Sequence, residues 1–450
     1  MEPINEQQQL PRKLGLMQSV AINMIDMVGI GPFIVLSSVI GYMNGPQALI
    51  AWVAGAVLSL LDACIWSELG AAMPKAGGSY VFLHKLYGNK GWGKLMSFLF
   101  IWQTIIQAPL VVASGSIGFS EYASYILPME VWQQKVMSGA VVILLIALLY
   151  RRIESIGKIS VVLWVCVIGT ILWLITSGML HFDSSLAFAL PENSLNITET
   201  VFWAGLGMAS VKTMYSYLGY YNVCHLGAEI IKPEKNIPRS MFLSIIGIAV
   251  LYCMMHISVV GVIPWKEAKD SKFVVSLFFE RIYGQEIAQL ATALILIIAF
   301  ASLFAVLLGY SRIPYAAAKD GNFFSIFGRL HPKKQFPNFS LLFIGILGFV
   351  FSLLFKMKDV ITAILAMRIL VQFIGQAIGL ILWSQQNGRQ TLPWKMYFYP
   401  IPIVLAIIAW LGIFVSTGFQ FMMGGLIAIG AGVLVFALFI APRESKNDKL

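Results

Sequence analysis

Val28-Gly29-Ile30-Gly31-Pro32-Phe33 sits in the middle of an otherwise apolar run spanning residues 16–42. Two glycines remove the side chains that favour helical dihedrals, and Pro32 has no N–H to give to the helical ladder, so the spacing predicts a helix that opens at 29–31. A second interruption, Tyr215-Ser216-Tyr217-Leu218-Gly219-Tyr220-Tyr221-Asn222, falls within the run 200–230. In a bilayer such breaks persist where protein or an aqueous cavity covers them, because hydrocarbon cannot satisfy freed N–H and C=O groups. Two breaks, five spans apart, point to corresponding halves of an inverted repeat, with a ligand site near the bilayer midplane between discontinuous helices. Close helix packing is the plain alternative for Gly29 and Gly31.

The rest of the chain supports a membrane setting. Of its 450 residues 58% are hydrophobic and 12% are charged, where a soluble domain carries about 25% charged residues. Apolar runs of about 20 residues recur from Leu16 to Ile440, enough for roughly twelve helical spans. Stretches such as 141–149 and 294–308 do not alternate, which excludes a β-barrel reading. The leader Met1 to Leu10 is polar, so no cleaved signal is expected. With a cytoplasmic N-terminus most lysines and arginines fall in inner segments, and only Lys135, Lys266, Lys269, Lys272, Arg281, Lys356 and Lys358 fall in outer ones. A multi-pass protein of the cytoplasmic membrane with both termini inside is the expectation.

Several function classes are disfavoured. The formal charge of +10 comes from basic clusters that alternate with spans and do not form one nucleic-acid footprint. The four cysteines, at 64, 166, 224 and 253, lie in apolar runs, and the histidines lack paired-ligand spacing, so no metal site is expected. An enzyme lacks a nucleophile and base constellation, and a channel lacks a repeated filter-like stretch. Small-residue positions keep a membrane assembly protein as an alternative. No cofactor is expected, and nothing in the sequence assigns an accessory subunit.

The chemistry of the breaks suits a zwitterion. Free N–H groups at the start of a half-helix attract a carboxylate, and free carbonyls at the end of the preceding half-helix attract an ammonium. An amino acid supplies both. The candidate binding residues are Met27, Val28, Gly29, Ile30, Gly31, Tyr215, Ser216, Tyr217 and Gly219. Tyr215, Ser216 and Tyr217 are placed to enclose the variable side chain, although core packing is an alternative for each tyrosine.

These residues resemble the amino acid-polyamine-organocation transporter superfamily. The resemblance rests on Val28 to Phe33, on Ser67-Glu68-Leu69-Gly70-Ala71-Ala72-Met73-Pro74-Lys75-Ala76-Gly77-Gly78-Ser79-Tyr80, and on Ser311-Arg312-Ile313-Pro314-Tyr315-Ala316-Ala317-Ala318-Lys319-Asp320-Gly321. The sixth-span stretch and Glu229 to Arg239 add to it. It implies an all-α polytopic fold: a short segment 1–15, a five-plus-five inverted-repeat core over 16–384 with broken first and sixth helices, two additional helices over 385–440, and a cytoplasmic tail 441–450. It further implies that the amides of Ile30 and Gly31 meet a substrate carboxylate, that carbonyls around Met27 and Tyr215 receive the ammonium, and that Tyr215 is an aromatic gate. The function it implies is secondary active transport of amino acids, as proton-coupled uptake or exchange. A polyamine or other organic-cation carrier is the alternative. The chain departs from the pattern at Ile30, where the family often has a small polar residue. It also lacks the fifth-helix lysine of many sodium-independent relatives, since 168–171 reads Ile-Gly-Thr-Ile and Lys158 lies nearer the cytoplasm.

Charges inside the spans are the remaining signal, because an unpaired one costs roughly 2.5 to 3.5 kcal/mol at a helix centre. Asp26, one turn before the first break, has four roles open to it: accepting a proton, binding the substrate amine, making a structural polar contact, or pairing with Lys212. Asp62 and Arg368 fit packing or gating networks better than direct substrate contact. Glu68 and Glu229, near inner helix ends, are candidates to brace an inner gate. Thr170 and Ser302 are the hydroxyls available to a sodium site, against ordinary intrahelical bonding. A proton is therefore favoured over sodium as coupling ion.

Overall fold

The computed structural model describes residues 10–88, 91–151, 153–354, 357–390 and 392–440. The expected tail 441–450 and the first nine residues of the N-terminal segment lie outside the described residues. Among those residues every regular element is helical, apart from isolated bridges between Leu14 and Ile230 and between Ala76 and Leu226.

The first half of the chain runs α1 (Leu16–Met27), α2 (Gly31–Met43), α3 (Leu49–Ala72), α4 (Ser79–Leu86), α5 (Trp92–Ile126), α6 (Val131–Leu149), α7 (Ile153–Leu180) and α8 (Ser184–Ala187). It continues with α9 (Thr200–Tyr217), α10 (Asn222–His225), α11 (Pro233–Val260), α12 (Trp265–Asp270), α13 (Val274–Tyr283), α14 (Gln285–Tyr310) and α15 (Arg312–Lys319). The last elements are α16 (Asn338–Leu354), α17 (Met357–Arg368), α18 (Gly375–Asn387), α19 (Ile401–Ser416) and α20 (Phe419–Val435). A π-helical turn, Ile369–Ile374, joins α17 to α18.

Among the described residues, 8 helices are long and apolar enough to cross a membrane, and α1 with α2, bent by 47°, make a ninth span. The shorter apolar helices α16 and α19 fall where two further spans are expected, and α9 and α10 lie within the expected span 200–230. The protein is thus an all-α, multi-pass membrane protein. Its outer surface agrees: Ile143 and Leu144 on α6, Val162 and Val165 on α7, and Ile427 and Leu434 on α20 are all exposed. Such apolar belts need lipid against them.

Inside, α3 packs along α11, α5 against α14 and α16, and α2 against α9. This arrangement brings the two breaks together. At the first, α1 ends at Met27, Val28 leaves helical geometry at φ −90°, ψ 76°, and Pro32 occupies the first turn of α2, where its absent N–H costs no helical bond. At the second, Leu218 turns extended and Gly219 takes φ +123°, a conformation open to glycine and strained for other residues.

Candidate functional site

Each break is held by side chains from elsewhere in the fold. Tyr252 on α11 donates its hydroxyl to the Met27 carbonyl at 2.7 Å and lies 3.2 Å from the Ser216 carbonyl. Asn23 on α1 accepts the Val223 N–H at 3.0 Å, capping the start of α10. Asn222 donates to the Ala305 carbonyl of α14 at 2.8 Å. The Ser302 hydroxyl donates to the Asp26 carbonyl at 3.2 Å. In an apolar interior each unsatisfied group costs several kcal/mol, so these four side chains make the interruptions tolerable.

Between the breaks lies a small cavity that is partly open to solvent. α1 and α2 contribute Asp26, Met27, Gly29, Ile30, Gly31 and Pro32, and the sixth span contributes Tyr215, Ser216, Leu218, Gly219 and Tyr221. α14 supplies Ser302 and Tyr310, α5 supplies Val111 and Gly115, and α17 supplies Arg368. The glycines set how closely the walls approach. A Cβ on Gly31 would stand 3.0 Å from the Tyr215 ring, one on Gly29 would stand 2.5 Å from the Ser302 hydroxyl, and one on Gly219 would stand 2.8 Å from the Asp26 carboxyl carbon. Tyr215 therefore lies directly over the first break, with its hydroxyl 3.5 Å from that of Ser114.

Most of the expected binding residues meet in this cavity, but several do not. Val28 is fully buried and does not line it. Tyr217 is also fully buried and turned toward α3 and α11, where its ring packs edge-on against Trp52 and Tyr252. Residues two apart on a helix face different sides, so Tyr215 and Tyr217 cannot enclose the same ligand. Lys212 donates to the Thr362 hydroxyl at 3.4 Å and does not pair with Asp26. The groups acting on the Asp26 carboxyl are instead Arg368 and Asn222. Thr170 bonds the Cys166 carbonyl of its own helix at 2.8 Å and lies off the cavity, while Ser302 lines it.

Glu68 and Glu229 stand away from the cavity, each a buried carboxylate in an ion pair: Glu229 with the buried Arg312 and Glu68 with the partly exposed Arg389. The Arg312 guanidinium bonds Glu229 through Nε at 2.7 Å and through a second nitrogen at 3.1 Å. Arg389 grips Glu68 at 2.7 and 3.0 Å, and the Met396 N–H donates to the same carboxylate at 3.0 Å. The Glu229 carbonyl also accepts the N–H groups of Lys13 and Leu14, which straps the segment before α1 to the segment after α10. Asp62 is a packing residue between α3, the sixth-span break and α19: it accepts from the hydroxyl of Tyr220 and from the Trp410 indole at 3.3 Å.

Arg368 sits in a network, as expected, and that network is at the cavity wall, where its side chain lies between the hydroxyls of Tyr221 and Tyr310. Its signal in the sequence was its charge within a span. Tyr252, Asn23 and Asn222 carried weaker signals, since a lone tyrosine or asparagine in an apolar run does not announce which backbone group it serves.

Comparison with known proteins agrees with this architecture. Residues 14–447 match the family described as Amino acid permease. The chain is 27% identical over 332 residues to an uncharacterized amino acid permease, YecA, of Bacillus subtilis, covering 73% of this chain and 74% of that protein. It is 22% identical over 412 residues to the serine/threonine exchanger SteT of the same organism, covering 88% and 89%. It is 25% identical over 348 residues to the human cystine/glutamate transporter, covering 74% of this chain and 66% of that longer protein. All three are named as carriers and none as an enzyme, and with the match running from residue 14 to residue 447 the chain belongs to the amino acid permease family.

Proposed function

We propose that this amino acid transporter works by alternating access at the cavity between its two breaks, as proton-coupled uptake or as exchange of one substrate for another. The observation carrying this reading is that one cavity is lined by the opened first span, by the end of α9, and by Asp26. The N–H groups of Ile30 and Gly31 at the start of α2 bind the α-carboxylate, and carbonyls at the ends of α1 and α9 bind the ammonium, with Asp26 beside them. Tyr215 folds over the bound molecule, and the Glu229–Arg312 pair braces the opposite, inner closure.

In this reading α1 to α18 form the ten-span core of two inverted five-span repeats, α19 and α20 are additions, and the protein sits in the cytoplasmic membrane with both termini inside. Lipid is its surrounding partner. A proton fits the coupling role better than sodium, because Asp26 lines the cavity while Thr170, one of the two hydroxyls weighed for a sodium site, lies off it. The polyamine alternative is not favoured: a polyamine has no α-carboxylate for the Ile30 and Gly31 amides, and the relatives are named for amino acids.

The test is uptake of labelled amino acids by the purified protein in sodium-free proteoliposomes. Rates should saturate with substrate and rise with an inward proton gradient or with amino acid preloaded inside. Non-saturating flux would favour a channel, and stronger competition by multivalent amines than by any amino acid would restore the polyamine reading.

A further inference from the structure

Arg368 is 3% exposed, at the end of α17 immediately before the π turn 369–374. Such turns occur preferentially at functional sites, where they re-aim side chains. One terminal nitrogen donates to the Tyr221 hydroxyl at 2.6 Å and the other donates to that of Tyr310. The guanidinium also lies against both rings, 5.4 and 5.2 Å from their centroids.

These partners are neutral. Among the described residues no carboxylate forms an ion pair with Arg368, whereas Arg281, Arg312 and Arg389 each hold one. The Nε–H of Arg368 is buried with no acceptor. Each phenol oxygen takes one guanidinium N–H on a lone pair, which leaves its own O–H free to donate. Arg368, Tyr221 and Tyr310 all line the cavity. A permanent cation and three uncommitted donors thus meet at a wall distinct from the Ile30–Gly31 amides.

We propose that the substrate is an amino acid with an acidic side chain, and that Arg368, with Tyr221 and Tyr310, receives its second carboxylate. This rests on the amino acid transport reading above and narrows it to a dicarboxylic substrate. The α-carboxylate is served by the amides at the first break, and the ammonium by the neighbouring carbonyls and Asp26. Asp26 is the acid that acts on Arg368, so the second carboxylate takes its place as the counter-charge when Asp26 carries a proton, and the net negative substrate and Arg368 then sum to zero charge. Such an occupied state needs no further counter-ion.

Full-length protein in sodium-free proteoliposomes decides this by competition between near-isosteres: L-glutamate against L-glutamine, and L-aspartate against L-asparagine. The acids should compete about 10- to 100-fold better than their amides, the range of a buried charge-assisted bond. In Arg368→Gln that preference should collapse toward one, and Tyr310→Phe should lower it in part. If the amides or apolar amino acids compete as well as the acids in the wild type, the proposal is overturned while amino acid transport stands. The wild-type comparison suffices should the variants fail to fold. If no amino acid of any class is moved, the transport reading and this one both fail.

Discussion

Tyr252 ties the two breaks together: its hydroxyl donates to the Met27 carbonyl at the end of α1 and lies 3.2 Å from the Ser216 carbonyl near the end of α9. Tyr252 is fully buried, so removing its hydroxyl takes away a donor that both carbonyls share. Tyr252→Phe should cost about 1–3 kcal/mol of stability and weaken substrate binding, because the carbonyls that face the ammonium lose their alignment. Thermal unfolding in detergent and substrate titration measure the two effects. A variant with wild-type melting and wild-type affinity would remove Tyr252 from this role.

Gly219 lets the second break lie against the first. Its φ of +123° strains any other residue, and an added Cβ would meet the Asp26 side chain at 2.8 Å. Gly219→Ala should therefore lower transport by about tenfold or more, the effect of a displacement near 1 Å at a positioned site. Gly169 on α7 is the control, since nothing lies within 4 Å of its added Cβ. Gly169→Ala should be neutral or stabilising by up to about 1 kcal/mol. Equal transport by the two variants would argue against a steric role for Gly219.

The breaks were legible in the sequence because glycine, proline and polar residues inside an apolar run conflict with an uninterrupted helix. Their facing directions were not. Tyr215 and Tyr217 read alike as neighbours in a polar stretch, yet about 200° of helix separates them, so one covers Gly31 while the other packs on Trp52. Lys212 and Arg368 raised the same alarm as intramembrane cations. Which of them comes near Asp26 depends on how α9 and α17 are rotated against α1, and no local pattern encodes that rotation. Tyr252 was silent for the same reason: its two acceptors belong to chain segments that meet only in the folded protein. That many apolar helices cross the membrane, by contrast, follows from the apolar runs themselves.

Tyr215 covers the first break as a half-buried ring. Tyr215→Ala should weaken binding by about tenfold or more through lost aromatic contact, while Tyr215→Phe keeps the ring and loses only the 3.5 Å approach to Ser114. Substrate titration of both variants separates gate from packing residue. Should alanine bind as tightly as phenylalanine, the ring does not close over the substrate.

The Glu229–Arg312 pair is buried on both sides, with 0% and 2% exposure. Removing one member strands the other, so Glu229→Gln or Arg312→Met alone should cost about 3–5 kcal/mol. The double variant should recover part of that loss, because no unpaired charge is left. If the pair braces the inner closure, each single variant should also bias the protein toward an inward-open state. Labelling of a cysteine introduced at Ala76, beside the Ala76–Leu226 bridge, should then speed up. Additive losses in the double variant would show that the two residues act separately.

In the proposed cycle Asp26 is the group that couples substrate movement to protons. It lines the cavity at the end of α1 and contacts the second break through Gly219, and Arg368, Asn222, Tyr215 and Tyr221 act on it or feel its charge. Lys212 donates to Thr362, and the cation that acts on Asp26 is Arg368, which lines the same cavity. A carboxyl between two moving breaks meets a different set of charges when the cavity is empty and when it holds a zwitterion, which is the physical requirement for linked proton uptake and release. Asp26→Asn keeps the size and hydrogen-bonding capacity and removes titration. It should abolish concentration of substrate by an imposed pH gradient while leaving exchange of internal for external substrate measurable. Substrate and proton fluxes recorded together in sodium-free proteoliposomes provide the comparison. If wild type and Asp26→Asn accumulate substrate equally with the same proton stoichiometry, the coupling group lies elsewhere, and Asp26 acts as a structural contact between the breaks.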